Sequence, residues 1–254
     1  MKLRSLKILC VIVLGNLMLL SSVEGKNDAF WKFGKEKKEP RAITVFVDMS
    51  GSTNQARRTV YRNAFEKIYQ NLQQGDRIVV GTITGRSFID FKPVVDAEIP
   101  EQSIWVNRIS FEQNLAKTKK DIKETVEKLL SLKRGTPQTE IINSLNIADN
   151  IFHDEKRQKI LILLSDMVQD SKEYNFDQVK ITDEYIAGII KDRQKQNLIP
   201  RLNDVKVYVA GASAADSKKF RSIELFWTRY FDACGADFSS HRYGHSLIEF
   251  EKET

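Results

Sequence analysis

Residues 44–55 read TVFVDMSGSTNQ, and the fold turns on how that stretch is read. An apolar run closes on Asp48, and two serines follow at alternate positions, Ser50 and Ser52. Three short oxygen-bearing side chains, spaced by two at the end of a buried strand, have four chemical readings. They form a nucleophile loop, a phosphate cradle, a metal site or a helix cap. In an extended segment, positions i, i+2 and i+4 turn the same way. Asp48, Ser50 and Ser52 can therefore face one point, and Gly51 lets the backbone bend between them.

Outward from that stretch, strands and helices alternate. Ala42–Val47 (AITVFV) is an almost unbroken apolar run, the pattern of a strand buried on both faces. A helix is predicted over Gln55–Gln73, with Val60, Tyr61, Ala64, Phe65, Ile68, Tyr69 and Leu72 at helical spacing and Gly75 as its stop. Arg77–Thr84 reads as a second strand, and Phe88–Val95 as its antiparallel neighbour through a turn at Gly85. Further helices are predicted over Asn114–Leu132, Glu140–Phe152, Thr182–Gln196 and Lys218–Ala233. Ile160–Leu164 (ILILL) reads as a central strand, Val205–Ala210 (VKVYVA) as another, and Ser246–Phe250 as a last edge strand. This alternation predicts an α/β fold: a doubly wound, mostly parallel sheet with one antiparallel edge strand and helices on both faces. In such sheets, ligands bind beyond the carboxyl ends of the strands.

Composition narrows the classes. Lys2, Arg4 and Lys7 precede the apolar run Ile8–Leu20, which is short for a membrane span. Small residues follow as far as Gly25, so residues 1–25 read as a signal peptide, with an uncleaved N-terminal anchor as the alternative. A charged arm over 26–41 and one domain over 42–251 complete the predicted organisation. The expected location is secreted or periplasmic, with membrane contact only if the N-terminal segment stays uncleaved. Cleavage removes Cys10 and leaves Cys234 without an intramolecular partner. Three histidines and no His/Cys cluster argue against zinc. The formal charge is +6, but the basic runs Lys35–Lys38 and Lys117–Lys120 lack the aromatic interleaving of a nucleic-acid platform. No nucleic-acid partner is expected.

Four segments leave strand ends or enter helices on the predicted ligand side: 48–52, Thr139-Glu140, Ser165-Asp166-Met167 and 211–216. They bring carboxylates and hydroxyls but no histidine or cysteine. An all-oxygen donor set of this kind suits a hard divalent cation such as Mg²⁺. Each residue also has a plainer role. Ser52 and Thr139 suit helix caps. Asp166 can end a strand without a ligand, and Asp170 and Asp216 can be simply solvated. Phe226, Trp227, Tyr230 and Phe231 form a stripe at helical spacing that suits a core. Asp48 suits the nucleophile of an aspartyl-phosphate enzyme, except that such enzymes carry a second acid two residues on, where this chain has Ser50.

The segment Asp48-Met49-Ser50-Gly51-Ser52 resembles the Asp-x-Ser-x-Ser signature of von Willebrand factor A domains, whose metal-ion-dependent adhesion site binds Mg²⁺ or Mn²⁺. Gly75–Val80 (GDRIVV), Thr139-Glu140-Ile141 with Ser144, Leu145 and Ala148, and Ile162–Asp166 are similar to further segments of that family. The resemblance covers Arg41 to Glu251 and is to a bacterial secreted or periplasmic branch. It implies a Rossmann-like doubly wound fold. It also implies that Ser50 and Ser52 ligate a cation through their hydroxyls, and that Asp48 and Asp166 act near it, often through water. Thr139 would be a direct or switchable ligand, with Thr136 a weaker match for that position. The function implied is non-enzymatic: a protein partner presents an acidic side chain that completes the coordination. One departure stands out. The family commonly has Gly after the second aspartate, where this chain has Met167. The alternatives are a Mg²⁺-dependent phosphatase-like enzyme and a structural domain with a vestigial metal site. The sequence gives neither the partner's identity nor the oligomeric state.

Overall fold

A computed structural model describes residues 39–51, 53–86, 89, 91–132, 135, 137–247 and 249–251. The predicted signal peptide and nearly all of the charged arm lie outside the described residues, as do Ser52 and Thr136. The chain divides into two units, Met1–Glu39 and Pro40–Thr254, and the fold is that of the second.

The apolar run that opens the domain becomes β1 (Arg41–Asp48), buried along its whole length. It is followed by α1 (Gln55–Gln70), β2 (Arg77–Ile83), β3 (Val95–Glu98), α2 (Arg108–Leu130) and α3 (Ile141–Phe152). Then come β4 (Gln158–Leu164), α4 (Asp183–Lys195), β5 (Val205–Ala210), α5 (Ser217–Ala233) and the two-residue β6 (Tyr243–Gly244). Among the described residues the strands form one sheet in the order β3-β2-β1-β4-β5-β6. Only β2–β3 is antiparallel. Val45 at the centre of β1 stands opposite Val80 on one side and Ile162 on the other.

Strand alternation sends every second side chain to each face, and both faces are covered. Ile43, Val45, Val47, Ile160, Ile162 and Leu164 pack with the apolar stripes of α1 and α2. Phe46, Leu161, Leu163, Val207 and Val209 pack with α3, α4 and α5. The aromatic stripe of α5 belongs to this second layer: Phe226, Trp227, Tyr230 and Phe231 are fully buried. Each such side chain contributes about 1.5–3 kcal/mol of apolar transfer, which explains a core formed without disulfides. Cys234 is buried just past the end of α5. Ile104 and Trp105, ahead of α2, are by contrast almost fully exposed.

Three predicted elements sit elsewhere. The antiparallel edge strand is Val95–Glu98, not Phe88–Val95. Pro93 lacks the N–H a ladder needs, so pairing begins beyond it, and Phe91 instead covers Gly81 at 2.3 Å from where a Cβ would stand. Helix α2 starts at Arg108, six residues before Asn114, because Asn107 caps it by accepting the Ser110 N–H at 2.8 Å. The last strand is Tyr243–Gly244 and not Ser246–Phe250. The carbonyls of Gly244 and His245 are taken by the Gly211 N–H, so the chain turns away, and Leu247 and Phe250 pack into the core as loop residues.

The end of the sheet where β1 and β2 begin is tied by a buried ion pair. Arg41 Nη2 lies 2.6 Å from Asp76 Oδ2, with side chains 5% and 0% exposed. Asp76 also accepts the Arg41 N–H at 2.9 Å and the Gln73 N–H at 3.0 Å. Arg41 donates in addition to the Asn71 carbonyl. Removing one partner strands a charge in a dry place. Asp76→Ala is expected to lower unfolding free energy by about 3–5 kcal/mol, read as a drop in the urea midpoint without a change in slope.

Candidate metal centre

Strands β1, β4 and β5 end at the same edge of the sheet, and the segments beyond them meet there. A cavity of about 440 Å³ lies over this edge, lined among others by Ser50, Arg57, Thr139, Asp166, Asp170 and Ser213. The position is the one that parallel α/β topology reserves for ligands.

Asp48 stands behind the cavity wall and is fully buried. Its Oδ1 accepts the Ser50 N–H at 2.8 Å, and its Oδ2 accepts the Ser165 hydroxyl at 2.8 Å. It thus fastens its own loop to the end of the neighbouring strand β4. Burial pushes its carboxyl above the usual range, while the Ser50 N–H, the Ser165 and Ser50 hydroxyls and the Arg57 charge act against the rise. A side chain at the rim would have been replaceable without harm to the fold; this one is structural as well as electrostatic.

Asp166 is 7% exposed and reaches the cavity. Its Oδ1 accepts the Val168 N–H at 2.9 Å, and its Oδ2 pairs with Arg57 Nη1 at 2.8 Å. Burial first, and then the charge of Asp48, push its carboxyl up to about 6, with Arg57 opposing. Two carboxylates are thus crowded into a poorly solvated place, where added positive charge is favourable.

Thr139 is fixed by its backbone. Its N–H donates to the Asp170 carbonyl at 2.8 Å and its carbonyl accepts the Asp170 N–H at 3.0 Å. The cap position of α3 is Glu140 and makes no side-chain cap bond, so Thr139 is not the cap. Likewise α1 is capped by Asn54, whose Oδ1 accepts the Arg57 N–H at 2.9 Å. Ser52 lies outside the described residues. Asp170 does reach the cavity and accepts the Asn175 amide. Asp216 instead caps α5 through the Lys219 N–H.

Met167 takes a left-handed backbone, φ +67°, the region a glycine favours. The loop therefore keeps the bend that a glycine after the aspartate would give. The cost of a side chain there, of order 1–3 kcal/mol, is offset by its complete burial in the core. Two bonds hold the bend: the Met167 N–H donates to Ser165 Oγ at 3.0 Å, and its carbonyl accepts Trp227 Nε1–H at 2.8 Å. Glycines matter at two neighbouring points. A Cβ on Gly135 would stand 2.6 Å from the Ser50 carbonyl carbon, so only glycine lets that loop lie on the serine loop. At Gly211, φ +103°, a Cβ would stand 2.6 Å from the Tyr61 ring and 3.0 Å from the Ser165 carbonyl oxygen.

Of the sequence-derived donors, Ser50, Thr139 and Asp166 are brought to one cavity, with Asp48 directly behind. Arg57, Ser165 and Ser213 are additions. Arg57 had a signal: a cation in the first turn of a helix opposes the helix dipole, so it calls for an anion nearby, and Asp166 supplies it. Ser165 and Ser213 lie in two of the strand-end segments that the sequence singles out, but nothing there marks these serines above the other hydroxyls. Among the described residues no group of three or more His, Cys, Asp or Glu side chains is placed to hold a metal. The candidate donors are hydroxyls and two carboxylates.

No protein-family model matches the chain, and no curated protein matches it. Solved structures do. The minor pilin PilB of Streptococcus sanguinis superposes with a TM-score of 0.51 at 12% identity, over 80% of this chain and 56% of that one. The pilus adhesin SpaC of Lactobacillus rhamnosus GG matches with a TM-score of 0.47 at 15% identity, over 84% and 29%. A von Willebrand factor type A structure from Catenulispora acidiphila matches at 0.41 and 14% identity, over 78% and 43%. The chain thus spans less than two thirds of the length of each of these structures. At such identities the likeness concerns the fold alone: the minor pilin shares the α/β architecture described above.

The bond from Trp227 to Met167 can be tested alone. Trp227→Phe keeps an aromatic ring in the core but leaves the buried Met167 carbonyl without its donor. Chemical denaturation should show a loss of about 1–3 kcal/mol. A variant as stable as the parent would mean that the bond does not hold the bend.

Proposed function

We propose that this von Willebrand factor A-type domain holds a divalent cation, Mg²⁺ or Mn²⁺, through Ser50, Ser52, Thr139 and Asp166, with Asp48 behind them acting on it indirectly, and uses it to capture an acidic group of a protein partner outside the cytoplasm. The observation that carries the reading is the convergence of Ser50, Thr139 and Asp166, from three separate segments, on one cavity with Asp48 behind it. The donor set fits such an ion. All donors are oxygens, and two buried carboxyls are pushed towards protonation where a cation would hold them ionised. Hydroxyl donors bring no charge of their own, which leaves a bound cation electron-poor and receptive to a partner's carboxylate. The cation would supply that attraction. The chain's own residues orient the donors and, through Asp48 and Ser165, keep the two loops in register.

The enzymatic alternative is disfavoured by the same geometry. A nucleophile must reach its substrate, but Asp48 is fully buried with both oxygens hydrogen-bonded. The vestigial-site alternative rested on Met167, and the glycine-like backbone at that position removes its main support. A place outside the cytoplasm rests on the N-terminal sequence: the basic Lys2, Arg4 and Lys7, the short apolar run and the small residues before residue 26. Among the described residues no helix is long and apolar enough to cross a membrane.

Calorimetric titration with Mg²⁺ and Mn²⁺ tests the reading. The parent protein should bind one equivalent, and Ser50→Ala should weaken binding at least about tenfold to a hundredfold with its circular dichroism spectrum unchanged. Absence of heat and of any thermal shift in the parent at millimolar cation would overturn the proposal.

A further inference from the structure

We propose that Arg57 is a built-in counter-cation of this site, which competes with the metal ion for Asp166 and so sets how tightly the ion is held. The inference rests on the divalent-cation reading above. Arg57 sits in the first turn of α1, with its backbone N–H in the Asn54 cap. From there its guanidinium spans the site. Nη1 lies 2.8 Å from Asp166 Oδ2 and Nη2 lies 3.2 Å from Ser213 Oγ, with the side chain 18% exposed. The other Asp166 oxygen is held by the Val168 N–H. With Arg57 in place, both oxygens of the Asp166 carboxylate are therefore engaged.

Charge makes this a competition. The two acids among the candidate donors, Asp48 and Asp166, carry a formal charge of −2, and Arg57 lowers the sum to −1. An incoming divalent ion must share Asp166 with a like charge a few ångströms away or displace it, and like charges in a poorly solvated site repel strongly. Displacement has a destination. Arg57 lines the cavity together with Asp170 and Asp177, which do not belong to the proposed donor set. A guanidinium released from Asp166 thus meets two carboxylates at the rim. The planar fork of arginine suits it to both arrangements. The cation-free domain is then a stable resting form, because its crowded carboxylates already have an internal partner.

Calorimetry and thermal melts with Mn²⁺ on the parent, Arg57→Gln and Arg57→Lys test the competition. Arg57→Gln should bind about tenfold more tightly or better, melt lower without cation, and gain more from adding it. Arg57→Lys keeps the charge and should stay within about threefold of the parent. Ser213→Ala removes one anchor of the guanidinium and should tighten binding in the same direction by a smaller factor, which keeps the test open if Arg57→Gln does not fold. Unchanged or weaker binding in Arg57→Gln, or an unchanged Ser213→Ala where Arg57→Gln cannot be measured, overturns this proposal and leaves the cation reading standing if the parent binds. No binding in any variant overturns both.

Discussion

A single buried carboxylate organises the carboxyl end of the parallel sheet. Asp48 closes β1, has no access to solvent, and spends its two oxygens on a backbone N–H of its own loop and a hydroxyl at the end of β4. An ionised group in that setting is costly unless fully hydrogen-bonded. The two loops must therefore stay in register for the fold to tolerate it. The same requirement places Ser50 at the cavity and Asp166 beside it. The next residue, Met167, then turns into a left-handed conformation held by Trp227 from α5. The site is a consequence of satisfying one carboxylate, and the sheet beneath it supplies the rigidity.

Much of this is legible in the residues themselves. The apolar runs AITVFV, ILILL and VKVYVA have strong patterns, and the parallel core follows from them with little ambiguity. The placement of Asp48, Ser50, Thr139 and Asp166 beyond the strand ends follows too, once the topology is known. What escapes the sequence depends on side chains meeting across long separations. Arg57 and Ser213 are far apart in the chain but joined by a hydrogen bond. Element ends escape for a different reason. Pro93 delays the edge strand because it has no N–H to donate, and Asn107 starts α2 early through its side-chain cap; apolar periodicity registers neither.

The two ends of the sheet manage charge in opposite ways. Where β1 and β2 begin, Arg41 and Asp76 neutralise each other in the core, with side chains 5% and 0% exposed. At the other end, Arg57 and Asp166 form a pair that opens onto one. A pair sealed in the core acts only on stability. A pair at a cavity wall can exchange one of its members for something from solution, and this difference in access sets the two ends apart.

The sheet's outer strands carry a further meaning. One edge is the four-residue β3, bearing Asp96 and Glu98, and the other is the two-residue β6. An unpaired strand edge is what another chain needs in order to add a strand of its own, and long flat apolar edges invite aggregation. These edges are too short, and one of them too charged, to serve as such a template. A domain built this way offers little template for strand addition along its edges, so the contrast with its loop-rich carboxyl end is one of geometry as well as charge.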